Sequence, residues 1–363
     1  MAEAKRTVGK PRFYADIGSY LKLKSFYESD KEGLESDNVD SVWNLDPVAL
    51  QSFTIVPNTR NFKFWFKFLE SDNNNLEIKK LLLDPATSST SSGLYAGILG
   101  HNTNNLKDNS LNDISKIRLV FGLEDGTIFY QDEITKIANY NIDVPEYNGY
   151  SLWEIDSFEP HDPNDNINKF GMSFLTDDVV GETDGEKKTI DIGAVTFGRW
   201  FEPEHSFDLQ VSIMKDNDGF KRKRTIGGNT LINVDYLGSE SWGDLPAWTL
   251  GKQTGVDYKP VSHTGRRTWK VSLSYIQDSN MFNNSTNENQ FFTYDIDTDE
   301  HTFDTSLGSF FGLTFDGQLP FLFCPDKDAD NLEFAKCVIT NKPTFKQVAN
   351  NLFSTSLVLT EVF

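Results

Sequence analysis

The chain has 363 residues, 38% hydrophobic and 13% aromatic, with 29 Phe, 12 Tyr and 7 Trp. Its 34 Lys and Arg against 54 Asp and Glu leave a net charge of −20, which opposes capture of nucleic acid or an anionic membrane by general electrostatics. No apolar run approaches the ~20 residues of a membrane-spanning helix, and the mean hydropathy of −0.45 reads as a soluble chain.

The opening, MAEAKRTVGKPRF, has no apolar core of a secretory leader. The expectation is synthesis in a reducing cytoplasm, where the sequons at Asn283 and Asn284 stay unused and Cys324 and Cys337 are free, buried thiols rather than a disulfide. Phe62, Phe64, Phe66 and Phe68 alternate with Lys63, Trp65 and Lys67. That period of two predicts a strand with an aromatic core face, and Trp65 on the other face suggests an interface. Leu76 to Leu83 reads as a short helix stopped before Pro85. Asp125-Gly126 predicts a hairpin turn, and Asp132 to Asn139 fits either helix or strand.

Thr176 to Asp191 is polar and reads as a linker or a long hairpin loop. Phe207, Leu209, Val211 and Ile213 alternate with polar residues and predict a half-buried strand, followed by a second hairpin at Asp218-Gly219. Gly227-Gly228 marks a turn or a close backbone approach. Trp269, Val271, Leu273 and Tyr275 form another inward-facing row, and Phe345 to Phe353 fits a helical turn or an irregular strand. The aromatic, β-branched bias predicts a mainly β fold, β-sandwich-type domains with one to three short helices. The division expected is residues 1–186 as an N-terminal β-rich region and 187–363 as a C-terminal β-sandwich-like domain, with an inserted domain in the first region as the alternative.

Catalytic and cofactor signatures are weak. There is no Rossmann glycine fingerprint, P-loop or nucleophile elbow. His101, His161, His205, His263 and His301 are too far apart in sequence to form a local zinc pair. The acidic stretches from Asp162 and Asp326 miss the glycine and the final glutamate of an EF-hand. In YDIDTDEH, Asp295, Asp297 and Glu300 have the spacing of the paired carboxylates of jelly-roll glycoside hydrolases, but the same residues suit a hairpin turn. Glu202 and Glu204 flank Pro203, which favours a turn over an aligned carboxylate pair. Trp242 and Trp248 are candidates for stacking on a sugar, or for packing across a loop. Lys221, Arg222, Lys223 and Arg224 form the one basic cluster, read as a solvated strand edge or an ionic contact with an acidic neighbouring subunit. The expectation is a protein that is not an enzyme, with no catalytic, cofactor or metal residues.

From Phe197 onward the order of elements is distinctive. An alternating strand with Trp269 precedes the apolar run Pro320 to Phe323, and the chain closes on Leu357 to Glu361. This order resembles bacteriophage tail and baseplate structural proteins of the distal-tail type, and PRFYADIGSYLKL is similar to their opening strand. The resemblance implies a ring-forming homo-oligomer in the virion tail. It would join other tail and baseplate proteins, with a host-surface glycan as a further partner and neither sequence-specific nucleic acid binding nor membrane insertion. The acidic excess would keep the DNA passage non-adhesive. A carbohydrate-binding β-sandwich and a glycoside hydrolase are the alternatives.

Overall fold

The computed structural model describes residues 9–23, 27–35, 39–68, 92–101, 114–123, 128–131, 135–138, 150–155, 167–180, 189–217, 219–234, 241–242, 245–246, 265–281, 292–295, 300–303, 307–328 and 334–362. The fold is mainly β, as expected. The first half supplies β1 (Arg12–Asp16), β2 (Tyr27–Glu32), β3 (Leu34–Glu35), β4 (Gln51–Ile55), β5 (Thr59–Phe68), β6 (Ser92–His101), β7 (Ile114–Leu123), β8 (Ile128–Gln131), β9 (Thr135–Ala138), β10 (Tyr150–Ile155) and β11 (Ile167–Val180). Then come β12 (Thr189–Phe201), β13 (Ser212–Asp216), β14 (Phe220–Arg224), β15 (Thr230–Val234), β16 (Ser241–Trp242), β17 (Leu245–Pro246) and β18 (Arg266–Gln277). The last are β19 (Phe292–Asp295), β20 (Glu300–Phe303), β21 (Phe321–Cys324), β22 (Ala335–Ile339), β23 (Lys346–Ala349) and β24 (Leu352–Glu361). Among the described residues the α-helices are α1 (Ile17–Leu23), α2 (Asp278–Met281) and α3 (Leu307–Leu313), all short.

One large antiparallel sheet runs β13-β18-β24-β22-β21-β1-β12-β6-β10-β9, with β23 on β24 and β3 and β4 attached through β12. A second runs β2-β5-β11-β7-β8. The large sheet takes strands from both sides of residue 186, because β1 lies between β12 and β21. The first and last long strands therefore share it. The elements marked by Trp269, the Phe321 run and Glu361 are near neighbours there, in the order β18-β24-β22-β21.

The two sheets enclose a shared aromatic core. Phe62, Phe64, Phe66 and Phe170 from the small sheet meet Phe53 and Phe197 of the large sheet, and all six are buried. Phe170 stacks on Phe197 at 4.1 Å between ring centroids, and Phe53 meets Phe64 edge-on at 4.8 Å. Further along the same face, Phe310 of α3 packs against Phe13 and Phe321, and Trp269 against Phe323. Each buried ring of this kind contributes roughly 1.5–3 kcal/mol.

Helix α1 starts where it does because of Asp16. Its Oδ2 accepts the Ser19 N–H at 2.7 Å, capping the first turn, while Oδ1 accepts Thr196 Oγ1–H at 2.8 Å and the Phe197 N–H at 3.3 Å. Gly198, opposite Asp16 in the β1–β12 pair, has no room for a side chain because a Cβ there would strike the Ala15 carbonyl. The opening segment is thus a strand followed at once by a helix, not one strand.

Several local expectations change. Trp65 is buried within the chain: it lies over Gly171, whose missing side chain makes the space, and Lys169 Nζ sits 4.6 Å from its ring. It is not an open interface residue. Residues 207–211 are not a strand; only Ser212–Asp216 pairs, and Leu209 is fully exposed. Asp218-Gly219 does not join two paired strands, since β13 pairs β18 while β14 pairs β15. Of Asp132 to Asn139, Thr135–Ala138 forms a strand, and the segment from Phe345 forms β23 and the start of β24. Strands β7 and β8 pair as the Asp125-Gly126 turn requires, though the turn itself lies outside the described residues, as does Leu76 to Leu83.

Cys324 and Cys337 are free and buried. Cys337 lies opposite Phe321, so it and Cys324 face opposite sides of the sheet, in separate core clusters. Burial pushes the Cys324 thiol up to about 12 and the Cys337 thiol well above its ordinary range. Among the described residues no helix is long and apolar enough to cross a membrane.

Candidate assembly arm and adjoining cleft

Among the described residues, the feature that departs furthest from a closed fold is the hairpin β14–β15. Every residue of both strands is exposed, as is every residue of β13 before it. Thr225 and Asn229 close the turn, with the Thr225 N–H donating to the Asn229 carbonyl at 2.8 Å and the Asn229 N–H to Thr225 Oγ1 at 3.1 Å. Gly228 supplies the positive φ of 86° that such a turn needs, and a Cβ at Gly227 or Gly228 would meet nothing within 4 Å. Gly227-Gly228 is therefore a turn in open space.

Register sorts the arm's side chains. Phe220 pairs Val234, Arg222 pairs Ile232 and Arg224 pairs Thr230 on one face, while Lys221 pairs Asn233 and Lys223 pairs Leu231 on the other. Both faces mix apolar and cationic groups. Ile226 at the tip is fully exposed, and Leu231, Ile232, Phe220 and Met214 are exposed large apolar residues. Residues 209–234 hold five Lys and Arg against two Asp, a net of +3, so the rest of the chain carries −23.

The body to which the arm is attached is braced by two buried charge clusters. In the first, Arg12 of β1 donates from Nη1 to Glu154 Oε1 at 2.6 Å and from Nη2 to Glu202 Oε2 at 2.7 Å, with its guanidinium carbon 3.9 Å from the Trp200 ring centre. Trp200 lies over Gly93, where a side chain would collide with the indole. Tyr14 Oη donates to Glu154 Oε1 at 2.8 Å, and Lys10 and Lys327 also pair with Glu202. The cluster ties β1, β10 and the end of β12 together across the face away from the main core. Burial opposes the Arg12 cation, but Glu154, Tyr14 and Glu202 outweigh it and raise its pKa; burial and Glu154 together push the Tyr14 phenol up. In the second cluster, Arg267 of β18 forks onto Glu361 of β24, with Nη2 to Oε1 at 3.0 Å and its own backbone N–H to Oε2 at 2.8 Å. Arg267 Nη2 also donates to the Phe334 carbonyl at 3.0 Å, and both side chains are buried.

Beside the first cluster is a cleft of about 400 Å³. It is built from the end of β12 and the residues after it, Phe201 to His205, and from β18 and α2, Leu273 to Gln277 and Asn280. The two carboxylates flanking Pro203 part company there. Glu202 turns inward to its cations, while Glu204 is exposed and accepts from Asn280 Nδ2 at 3.2 Å and Gln277 Nε2 at 3.5 Å. His205 Nε2 is 3.9 Å from Glu204 Oε1.

The other sequence candidates separate. Asp295 and Glu300 stand opposite each other on the paired strands β19 and β20, so the single-strand arrangement of the hydrolase signature is not formed. Asp297 lies outside the described residues. Trp242 is on the short hairpin β16–β17 opposite Leu245, and Trp248 is outside the described residues. His101 is buried with Nε2 3.1 Å from Ser151 Oγ, and His301 is on β20; His161 and His263 are not described. Asp326 Oδ1 accepts the Asp328 N–H at 3.1 Å, stabilising its own turn, and the stretch from Asp162 is described only from Ile167, where β11 begins. Among the described residues, the basic residues Lys221 to Arg224 are the sequence candidate set on an exposed hairpin with apolar partners. Leu209 and Ile213, expected on an inward row, are exposed, because alternation alone does not tell a covered face from an open one. Compared with known proteins, the chain matches no family model and no curated protein.

Proposed function

We propose that this chain is a non-enzymatic structural subunit of a bacteriophage tail or baseplate, assembling with copies of itself into a ring around the DNA passage. The observation that carries the reading is the arm at residues 209–234. It is basic, it exposes apolar residues on both faces, and it belongs to a chain whose remainder is strongly acidic. Apolar surface on a small hairpin has a cost in water unless something covers it. A second copy of the chain supplies both the cover and the opposite charge, and repetition of one such head-to-tail contact closes a ring. The acidic remainder suits a passage through which DNA slides without adhering. Other tail components would stack on the ring's two faces.

Sedimentation of the purified full chain tests this, combined with electron microscopy of the concentrated protein and of particles that contain it. The expected result is concentration-dependent assembly into closed rings of one size. Assembly weakens as salt rises from about 0.05 to 0.5 M because the arm's charges are screened. A chain that stays monomeric at all salts and concentrations, and is absent from particles, overturns the reading.

A further inference from the structure

We infer that the cleft between residues 201–205 and 273–280 is a binding site for a neutral, polyhydroxylated ligand, a saccharide unit. This inference stands apart from the ring reading and uses none of the arm.

The cleft is organised around a defect in β18. Leu273 pairs Thr355 and Ile276 pairs Phe353, so Ser274 and Tyr275 together oppose the single residue Ser354. This bulge breaks the inward row of Trp269, Val271 and Leu273 and turns Tyr275 outward, 64% exposed. Tyr275 takes a φ of 62°, in the left-handed region that a residue with a Cβ rarely enters. Bulges and strained residues of this kind concentrate where a side chain is re-aimed for function. Here the consequence is a phenol ring presented at a polar cleft of about 400 Å³, within the ~300–1,000 Å³ range of small-ligand sites.

The cleft's chemistry selects the ligand. Glu202 is already occupied by Lys10 and Arg12, so Glu204 is the carboxylate presented to a ligand. Asn280 and Gln277 hold Glu204 from one side, which leaves lone pairs to accept hydroxyl protons. The Glu204 carboxylate disfavours anionic ligands, the cation of Lys10 in the lining being engaged by Glu202, and the amides of Gln277 and Asn280 offer both donors and acceptors. Ser274 is fixed by donating to Asp208 Oδ2 at 2.8 Å, which steadies the bulge. Tyr275, Glu204, Gln277 and Asn280 all line the cleft, and an aromatic ring with a carboxylate and two amides suits the apolar CH face and hydroxyl rim of a pyranose ring.

Saturation-transfer NMR on the full chain tests the site, with glucose, galactose, N-acetylglucosamine and their β-linked disaccharides at millimolar concentrations. At least one of these sugars is expected to bind. Its affinity is expected to fall about tenfold or more in both Tyr275→Gly and Asn280→Ala. Tyr275→Gly also relieves the positive φ, so that variant is expected to melt at or above the wild-type temperature, which separates loss of the ring from loss of the fold. Absence of binding by every sugar in the panel overturns the inference. Unchanged affinity in either variant also overturns it and places the sugar on another surface.

Discussion

Strand β5 alternates Phe62, Phe64 and Phe66 with Lys63, Trp65 and Lys67 and is covered on both faces, whereas the hairpin β14–β15 sets cationic residues of one strand opposite apolar residues of the other and is covered on neither. The difference is the second layer. The Phe row of β5 meets Phe53 and Phe197 of the large sheet, and its Trp65 is roofed by Lys169 above Gly171. Even Lys63 is buried and finds Glu32 at 2.8 Å. Beyond β13, which pairs β18 of the body, the arm is two strands and one tight turn. An isolated two-stranded hairpin is marginal in water, and in the proposed ring a second copy of the chain would complete it.

The comparison breaks most sharply if body and arm respond alike to substitution. Phe197→Ala removes the ring at the centre of the sandwich and is expected to cost about 3–5 kcal/mol, read as a lower urea midpoint. Glu361→Ala leaves the Arg267 cation buried without its carboxylate, with an expected loss of about 3–5 kcal/mol, whereas Arg267→Met with Glu361→Leu restores most of it. Leu231→Ser with Ile232→Ser, on the exposed arm, is expected to move the monomer's stability by no more than about 0.5 kcal/mol while weakening self-association in sedimentation. If this pair unfolds the monomer, the arm belongs to the body and the contrast fails. Arg222→Glu with Arg224→Glu sharpens the same point: association weakens at low salt, and its decline with added salt disappears.

The smallest effect concerns Asp16. Burial raises its pKa, although bonds from Ser19, Thr196 and Phe197 pull the other way. A carboxyl whose folded pKa lies above its unfolded value, about 3.9, contributes stability below that unfolded value and loses it as pH rises through the folded one. Urea midpoints of the wild type and Asp16→Asn, measured from acid to neutral pH, should therefore diverge in the variant's favour as pH rises.

Strands with an unbroken period of two were legible from the residues: β5 and the first part of β18 bury the rows that the alternation marks. The pairing of β7 with β8 was legible in its turn dipeptide. Helix α1 was hidden because its cap, Asp16, is completed by Thr196 and Phe197, some 180 positions away. Alternation placed Tyr275 in the core row, since a bulge is a property of two strands and not of one. Glu361 stood out as the end of a distinctive strand, but its partner Arg267 is fixed only by the β18–β24 register. The basic cluster was legible as charge; that its strand has no second layer was not. The cleft joins segments some seventy residues apart, and no local spacing announces it.

The position of β1 sets a condition on the protein's synthesis. Arg12 pairs with Phe201's neighbourhood on one side and directly with Cys324 on the other, more than three hundred residues downstream. At about 5–20 residues per second, the ribosome delivers that second neighbour roughly 15–60 s after the first strand has emerged. During that interval the middle strand of the future sheet has at least one open edge, and both until β12 is made, and its Phe13 has no Phe321 or Phe323 to meet. Folding to completion is therefore late and non-local, and the nascent chain is exposed to chaperones, or to mispairing, until its last third is made.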